Sequence, residues 1–217
     1  MSLFFESAMN NWIKYLGLEV NEVKGVMEGP TPVLKVKGRD DVERNIFEVG
    51  SGVGQVLPVL AVCLLANPGD VVCIEEPEAH LHPSAQAYLA DFLISMAASG
   101  RQIIVETHSP NIIDRLRLRK AHKKSWKRLQ NKNWIQNNLY LENPQSYGQF
   151  IKEPEIIITY ADQDQSGVST YNEATINDTG DILFSDRRQA LWPEGFFDTA
   201  QEEISRILQA RSLYEEE

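Results

Sequence analysis

Apolar positions recur along the first half of the chain at alternately helical and strand-like spacing. Phe4, Phe5, Met9, Trp12, Ile13 and Leu16 fall near a 3.6-residue period, which predicts a helix over residues 3–18 ending at Gly17. Pro30 and Pro32 punctuate the next loop, and the alternation from Val33 to Lys37 predicts a short strand. Gly38 to Asn45 reads as a polar connector. A glycine-rich loop, Gly50-Ser51-Gly52-Val53-Gly54, then leads into a predicted helix from Gln55 to Ala66. Pro58 falls in its first turn, where a missing N–H costs little, and Asn67-Pro68-Gly69 stops it. Val71 to Ile74 is too short and too uniformly apolar for anything but a buried, parallel strand. Pro83 opens a helix to Ala98 with Gly100 closing its end. Gln102 to Glu106 is a second predicted buried strand, followed by Ser109 and Pro110 as cap and first residue of the next helix.

This alternation is the α/β pattern. Beyond Lys132 the texture changes. Leu139 to Leu141 and Ile156 to Tyr160 read as strands, Val168 to Phe184 as a hairpin around Asn177-Asp178-Thr179-Gly180, and Asp198 to Leu213 as an amphipathic helix. The expected organisation is an N-terminal helix and strand region over 1–45, an α/β region over 46–135, and a small C-terminal α+β segment over 136–217.

Composition narrows the function classes. With 217 residues, 42% of them hydrophobic, the chain can bury a core. Its net charge of −10 argues against a protein that simply coats nucleic acid. Locally that balance reverses: nine of the 21 Lys and Arg residues lie between Arg115 and Lys132, among them Arg119, Lys120, Lys123, Lys124, Lys127 and Arg128. Cys63 and Cys73 sit in apolar runs without metal-like spacing and read as small core residues in a reducing compartment. The longest apolar run, Val56 to Ala66, is far short of the roughly 20 residues that span a bilayer. The first residues lack the basic region of a signal peptide, so a cytoplasmic protein without membrane contact is expected.

The candidate chemistry begins where Val71-Val72-Cys73-Ile74 ends in Glu75-Glu76-Pro77. Paired carboxylates at the carboxyl end of a buried strand suit the holding of magnesium and the orienting of a water. The same E-E-P is equally the polar terminus of any strand. Three neighbours favour chemistry. The glycine-rich loop opens a helix whose N-terminal N–H groups favour an anion. Glu78-Ala79-His80-Leu81-His82-Pro83 follows as a polar loop, and His108 ends the second strand, at the same sheet edge. The phosphate-cradling G-x-x-x-x-G-K-[ST] is missing, since none of the 13 glycines precedes a lysine.

Gly52-Val53-Gly54-Gln55, a helix, V-V-C-I-E-E-P-E-A-H-L-H-P and I-I-V-E-T-H-S-P together resemble the C-terminal half of an ABC-class ATPase. In family order they match the signature loop, Walker B strand, D-loop and histidine switch. The E-E-P-E-x-H-L-H-P form is similar to the soluble, AAA-annotated ATPases grouped with OLD and SMC-like proteins. Trp192 to Asp198, W-P-E-G-F-F-D, resembles a C-terminal domain attached to one bacterial branch of them. The resemblance implies a partial ABC-type P-loop NTPase sheet lacking its Walker A strand, with ATP and Mg2+ as ligands. It implies that Glu75 associates with magnesium, that Glu76 is the catalytic glutamate and that His108 senses the γ-phosphate. It places Gly52, Gly54 and Gln55 against the nucleotide of an opposing subunit, and His80 and His82 in the D-loop. Glu75 departs from the family's usual aspartate, and Ser51 lies one position out of register with the signature serine.

The expected partner is a Walker A-containing N-terminal half of a longer protein or a separate subunit, in a homodimer or hetero-oligomer. The isolated chain is then expected to be inactive and to bind ATP poorly. Bacterial DNA metabolism or phage defence is the implied setting. Two other readings stay open. The basic stretch over 115–132, with Trp126 and Trp134 nearby, could bind DNA or RNA in a module without its own catalysis. His80 and His82 beside the three glutamates could serve a metal-dependent hydrolase.

Overall fold

A computed structural model describes residues 3–121, 155–163 and 166–184, and the chain divides into two units, Met1–Glu155 and Ile156–Glu217. In the first unit α1 (Leu3–Tyr15) turns its apolar face inward, burying Phe5, Met9, Trp12 and Ile13, with Leu16 just beyond. It ends before Gly17, whose φ of 72° suits a glycine leaving a helix.

An antiparallel sheet of β1 (Val20–Glu28), β2 (Thr31–Gly38) and β3 (Glu43–Asn45) follows, in that order. β1 was not legible as a strand. Its valines recur at Val20, Val23 and Val26, a three-residue spacing unlike the alternation of a strand, and its pairing with β2 carries a register irregularity between Val20 and Glu22. Gly29, at φ 61°, makes the β1–β2 turn possible. The expected polar connector contains β3.

α2 (Ser51–Leu65) begins a turn earlier than expected, so Gly52 and Gly54 lie within the helix rather than in a loop. The reason is its buried stripe, which already starts at Val53 and continues through Val56, Leu57, Leu60, Cys63 and Leu64. α3 (Pro83–Ala98) packs Leu89, Phe92, Leu93 and Met96 into the same core, where Trp12 meets Phe92 edge-to-face at 5.0 Å between ring centres. Arg101, buried within the α3–β5 connection, donates from Nε to the carbonyl of Ala66 at 2.8 Å and so satisfies the end of α2.

β4 (Val71–Glu75) and β5 (Gln102–Glu106) pair in parallel, Val71 opposite Gln102 and Glu75 opposite Glu106. Among the described residues this sheet has two strands. One face, Val72 and Ile74 with Ile103 and Val105, joins the core. The other faces water: Val71 is 56% exposed and Ile104 49%. The expectation of two fully buried strands is thus corrected, since covering helices lie on one side alone among the described residues. Cys73, expected in the core, lies on this open face, whereas Cys63 is buried and its thiol is pushed up to about 12 by that burial, against the pull of Arg101. Iodoacetamide at pH 8 is therefore expected to label Cys73 at least about 10²-fold faster than Cys63 in the folded chain. Peptide mass spectrometry reads the two rates, and equal labelling would contradict this packing.

α4 (Pro110–Ala121) starts as expected, with the Ser109 hydroxyl accepting the amide of Ile112 at 3.3 Å. In the second unit β6 (Ile157–Gln163), β7 (Ser169–Ile176) and β8 (Ile182–Phe184) form an antiparallel meander. The β7–β8 hairpin is the one read from its turn: Asn177 Oδ1 accepts the amides of Thr179 at 3.0 Å and Asp181 at 2.8 Å, while Gly180 takes φ 85°. The expected strand at Leu139–Leu141, the segment Trp192–Asp198 and the helix over 198–213 lie outside the described residues.

Candidate functional site

The carboxyl end of β4 is a sharp corner. Glu76 continues the ladder by one bond, its amide donating to the carbonyl of Glu106 at 2.9 Å. It then turns away at φ 41°, and its carbonyl accepts the amide of Ala79 at 3.0 Å. His80, four residues on, sits at φ 62°. Left-handed backbone at a residue with a Cβ costs about 1–2 kcal/mol, so this loop holds two strained positions that the surroundings must enforce. Buried Pro77, Glu78 and Leu81 enforce them by pinning the loop to the protein.

The end of β5 meets this corner. His108 Nε2 lies 3.8 Å from Glu76 Oε1, and both side chains are largely open to water. Glu76, Glu78, Ala79, His80, Gln86, His108, Ser109 and Pro110 line one concavity of about 390 Å³. Of the residues singled out in the sequence, it gathers Glu76, His80 and His108. Glu75 is exposed at the strand's end but does not line it, and neither do Gly52, Gly54, Gln55 or His82. His82 caps α3, its Nδ1 accepting the amide of Ser84 at 3.3 Å. Among the described residues no three His, Cys, Asp or Glu side chains gather as a metal-binding group, which leaves the hydrolase reading of His80 and His82 without a ligand set.

Gly52 connects α2 to the corner. A Cβ there would lie 2.7 Å from the carbonyl oxygen of His80, whereas one at Gly54 would meet nothing within 4 Å. Gly50, Gly52 and Val53 also border a second concavity, of about 540 Å³, with Arg39, Asp40 and Arg44. There the Arg44 guanidinium and the Val42 amide hold the Asp40 carboxyl down at about 2. The contrast between the glycines predicts opposite outcomes. Gly52→Ala should displace the His80 backbone and cost about 1–3 kcal/mol as an overpacked contact. Gly54→Ala should be neutral or raise stability by up to about 1 kcal/mol through helix propensity. Urea denaturation of both variants checks the pair.

The basic stretch is corrected where it is described. Arg119, read as a nucleic-acid residue, is turned inward: its Nε donates to Asp91 Oδ1 at 2.6 Å and its Nη2 to Asp91 Oδ2 at 2.8 Å. Arg115 joins it on Asp91 at 2.7 Å, over the ring of Tyr88, and Arg117 pairs with Asp114 at 3.0 Å. The cause is Asp91 itself, a carboxylate buried on α3 that must be compensated. Lys120 also lies on α4, while Lys123, Lys124, Lys127 and Arg128 lie outside the described residues.

Sequence reasoning passed over the polar side chains that join these loops. In the sequence Glu78 shows only within the polar loop and a metal cluster, and neither Gln86 nor Thr107 stands out by itself. Gln86 Oε1 accepts from Ser109 Oγ at 2.7 Å and Asn111 Nδ2 at 3.0 Å, while its Nε2 donates to the carbonyl of Leu81 at 3.0 Å. A glutamine in the first turn of a helix carries no signal of such a role in one sequence.

Residues 16–114 match the family model of an "AAA domain, putative AbiEii toxin, Type IV TA system". Over this stretch the chain is similar to an AAA domain. The Old nuclease of Escherichia phage P2 is 27% identical over 95 residues, which take in 39% of this chain and 16% of that protein. Two solved structures are similar at a TM-score of 0.48 and 13% identity. One is of an SMC ATPase, from work on ATP-driven dimerization and DNA-stimulated activation, and the likeness covers 78% of this chain and 83% of that one. The other is an SMC head bound to the C-terminal winged-helix domain of ScpA, with 80% and 43% covered. Among the described residues no helix is long and apolar enough to cross a membrane.

Proposed function

We propose that this chain supplies the Walker B, signature and sensor parts of an ATP-hydrolysing switch ATPase, completed by a Walker A segment from an N-terminal half or a separate subunit. The observation that carries the reading is the 3.8 Å approach of Glu76 and His108 at the carboxyl ends of two parallel strands, where ligands of open α/β sheets bind. In this reading Glu76 accepts a proton from the attacking water, and His108 donates a hydrogen bond to the terminal phosphoryl group. Exposed Glu75 offers hard oxygen donors of the kind magnesium takes, and it would hold the ion. When bound, magnesium supplies charge neutralisation on the phosphoryl oxygens.

Among the described residues nothing covers the open face of the β4–β5 sheet, which supports a neighbouring segment there. Parallel sheets are ordinarily covered on both faces, yet Val71, Cys73 and Ile104 lie in water. Gly54, with open space around it, and exposed Gln55 suit contact with the nucleotide of an opposing unit, and the His80 backbone comes close to the same first turns of α2 at Gly52. Association and release of two such units would be the switch, in a setting of DNA metabolism or phage defence. Nucleotide titration of the isolated chain should show no micromolar ATP binding, and co-expression with a P-loop-bearing partner should restore MgATP turnover. Micromolar affinity of the lone chain, lost in His108→Ala, would overturn the composite site.

A further inference from the structure

Glu78 is the acid of the β4–α3 loop that turns away from water, at 8% exposed. Both hydrogen bonds to its Oε1 come from the other loop: the Thr107 hydroxyl donates at 2.7 Å and the His108 amide at 2.8 Å. Thr107 Oγ1 in turn accepts the amide of Ser109 at 3.0 Å. The second oxygen, Oε2, is buried without a hydrogen bond.

The His108 imidazole is 76% exposed, so little besides its backbone can fix its place. That backbone is held by Glu78. We infer that Glu78 is a positioning residue, which clamps the Thr107–Ser109 turn to the β4–α3 loop and thereby sets His108 against Glu76. Two donors converging on one carboxylate oxygen make charge-assisted bonds, stronger than neutral ones. Removing the acceptor leaves an N–H and an O–H unmet at the base of the concavity. The clamp crosses between the two strand ends, two residues beyond Glu76 in one loop and at His108 itself in the other. Any shift of the β4–α3 loop is therefore carried to the imidazole.

Glu78→Gln and Glu78→Ala separate the acceptor from the charge. The glutamine keeps an oxygen for both donors, and its NH2 replaces an oxygen that takes no bond. This inference rests on the ATPase reading for its kinetic arm only; its first arm needs no nucleotide. In the full chain, amide hydrogen exchange read by NMR should show His108 exchanging about tenfold faster in Glu78→Ala and within a few-fold of wild type in Glu78→Gln. In the chain assembled with its P-loop partner, Glu78→Ala should lower kcat about 10²-fold, the scale of a small misplacement, with KM little changed. Glu78→Gln should restore most of kcat. Should Glu78→Ala fail to fold, Thr107→Val removes one of the two donors and should speed His108 exchange about three-fold. Unchanged exchange in the folded variant used overturns the clamp, whatever the turnover. Faster exchange with an assembled wild type that hydrolyses no ATP upholds the clamp and removes the ATPase reading instead.

Discussion

Glu76→Gln is expected to slow MgATP hydrolysis about 10²- to 10⁴-fold in the assembled enzyme while leaving nucleotide binding nearly intact, the range for loss of a general base. Glutamine has the same size and places no new atom in the corner, so the φ of 41° and the bond from the residue 76 amide to Glu106 can persist. What is lost is the proton acceptor. A switch that binds but cannot hydrolyse should accumulate its ATP-bound, associated form. Single-turnover kinetics and gel filtration with ATP read the two consequences separately. His108→Ala removes the group 3.8 Å away, and because both act on one reacting centre, the double variant should fall well short of the product of the two losses. Turnover of Glu76→Gln within a few-fold of wild type would remove Glu76 from the chemistry.

The sequence and the structure agree where local chemistry decides the backbone. Pro83 and Gly100 bracket α3, Ser109 caps α4, and Asn177 builds its hairpin turn, each through contacts within a few residues. The order of acid pair, polar loop and histidine was legible for the same reason, since each lies at a strand end. What was not legible depends on distant partners. β1 is held by its pairing with β2 and by Asn10, which donates to the carbonyl of Val23 and accepts its amide, and neither is visible as a period in the chain. Gly52 and Gly54 read as a loop because glycine suits loops, but the buried stripe of α2 reaches back past them. Cys73 and Ile104 read as core because parallel strands usually lie inside, and only tertiary structure shows which face is covered. Arg115 and Arg119, four residues apart, have the pattern of a solvated basic face. Their true partner is Asp91, far away in the chain, within a helix that otherwise reads as apolar.

That buried carboxylate should be among the costliest positions to alter. Asp91→Ala is expected to destabilise the chain by about 3 kcal/mol, the lower end for breaking a buried ion pair. The lower end applies because the stranded guanidiniums of Arg115 and Arg119 are 20% and 26% exposed and can turn partly to water, whereas Asp91 is at 8%. The Tyr15 hydroxyl, donating to Asp91 Oδ2 at 2.7 Å, loses its partner too, so α1, α3 and α4 come apart at one point. Asp91→Asn keeps the shape and isolates the charge, and acid should separate the two effects. Burial pushes the Asp91 carboxyl up, but the guanidiniums of Arg119 and Arg115 and the hydroxyl of Tyr15 outweigh it, and the net shift is downward. A carboxyl lowered by folding stabilises the protein above its unfolded value of about 3.9, and that stability drains away as pH falls from there through the folded value. The stability gap between wild type and Asp91→Asn, measured by urea denaturation, should thus be constant from pH 7 to 5 and shrink below pH 4. A gap that held its full size in acid would mean that shape rather than charge binds the three helices at Asp91.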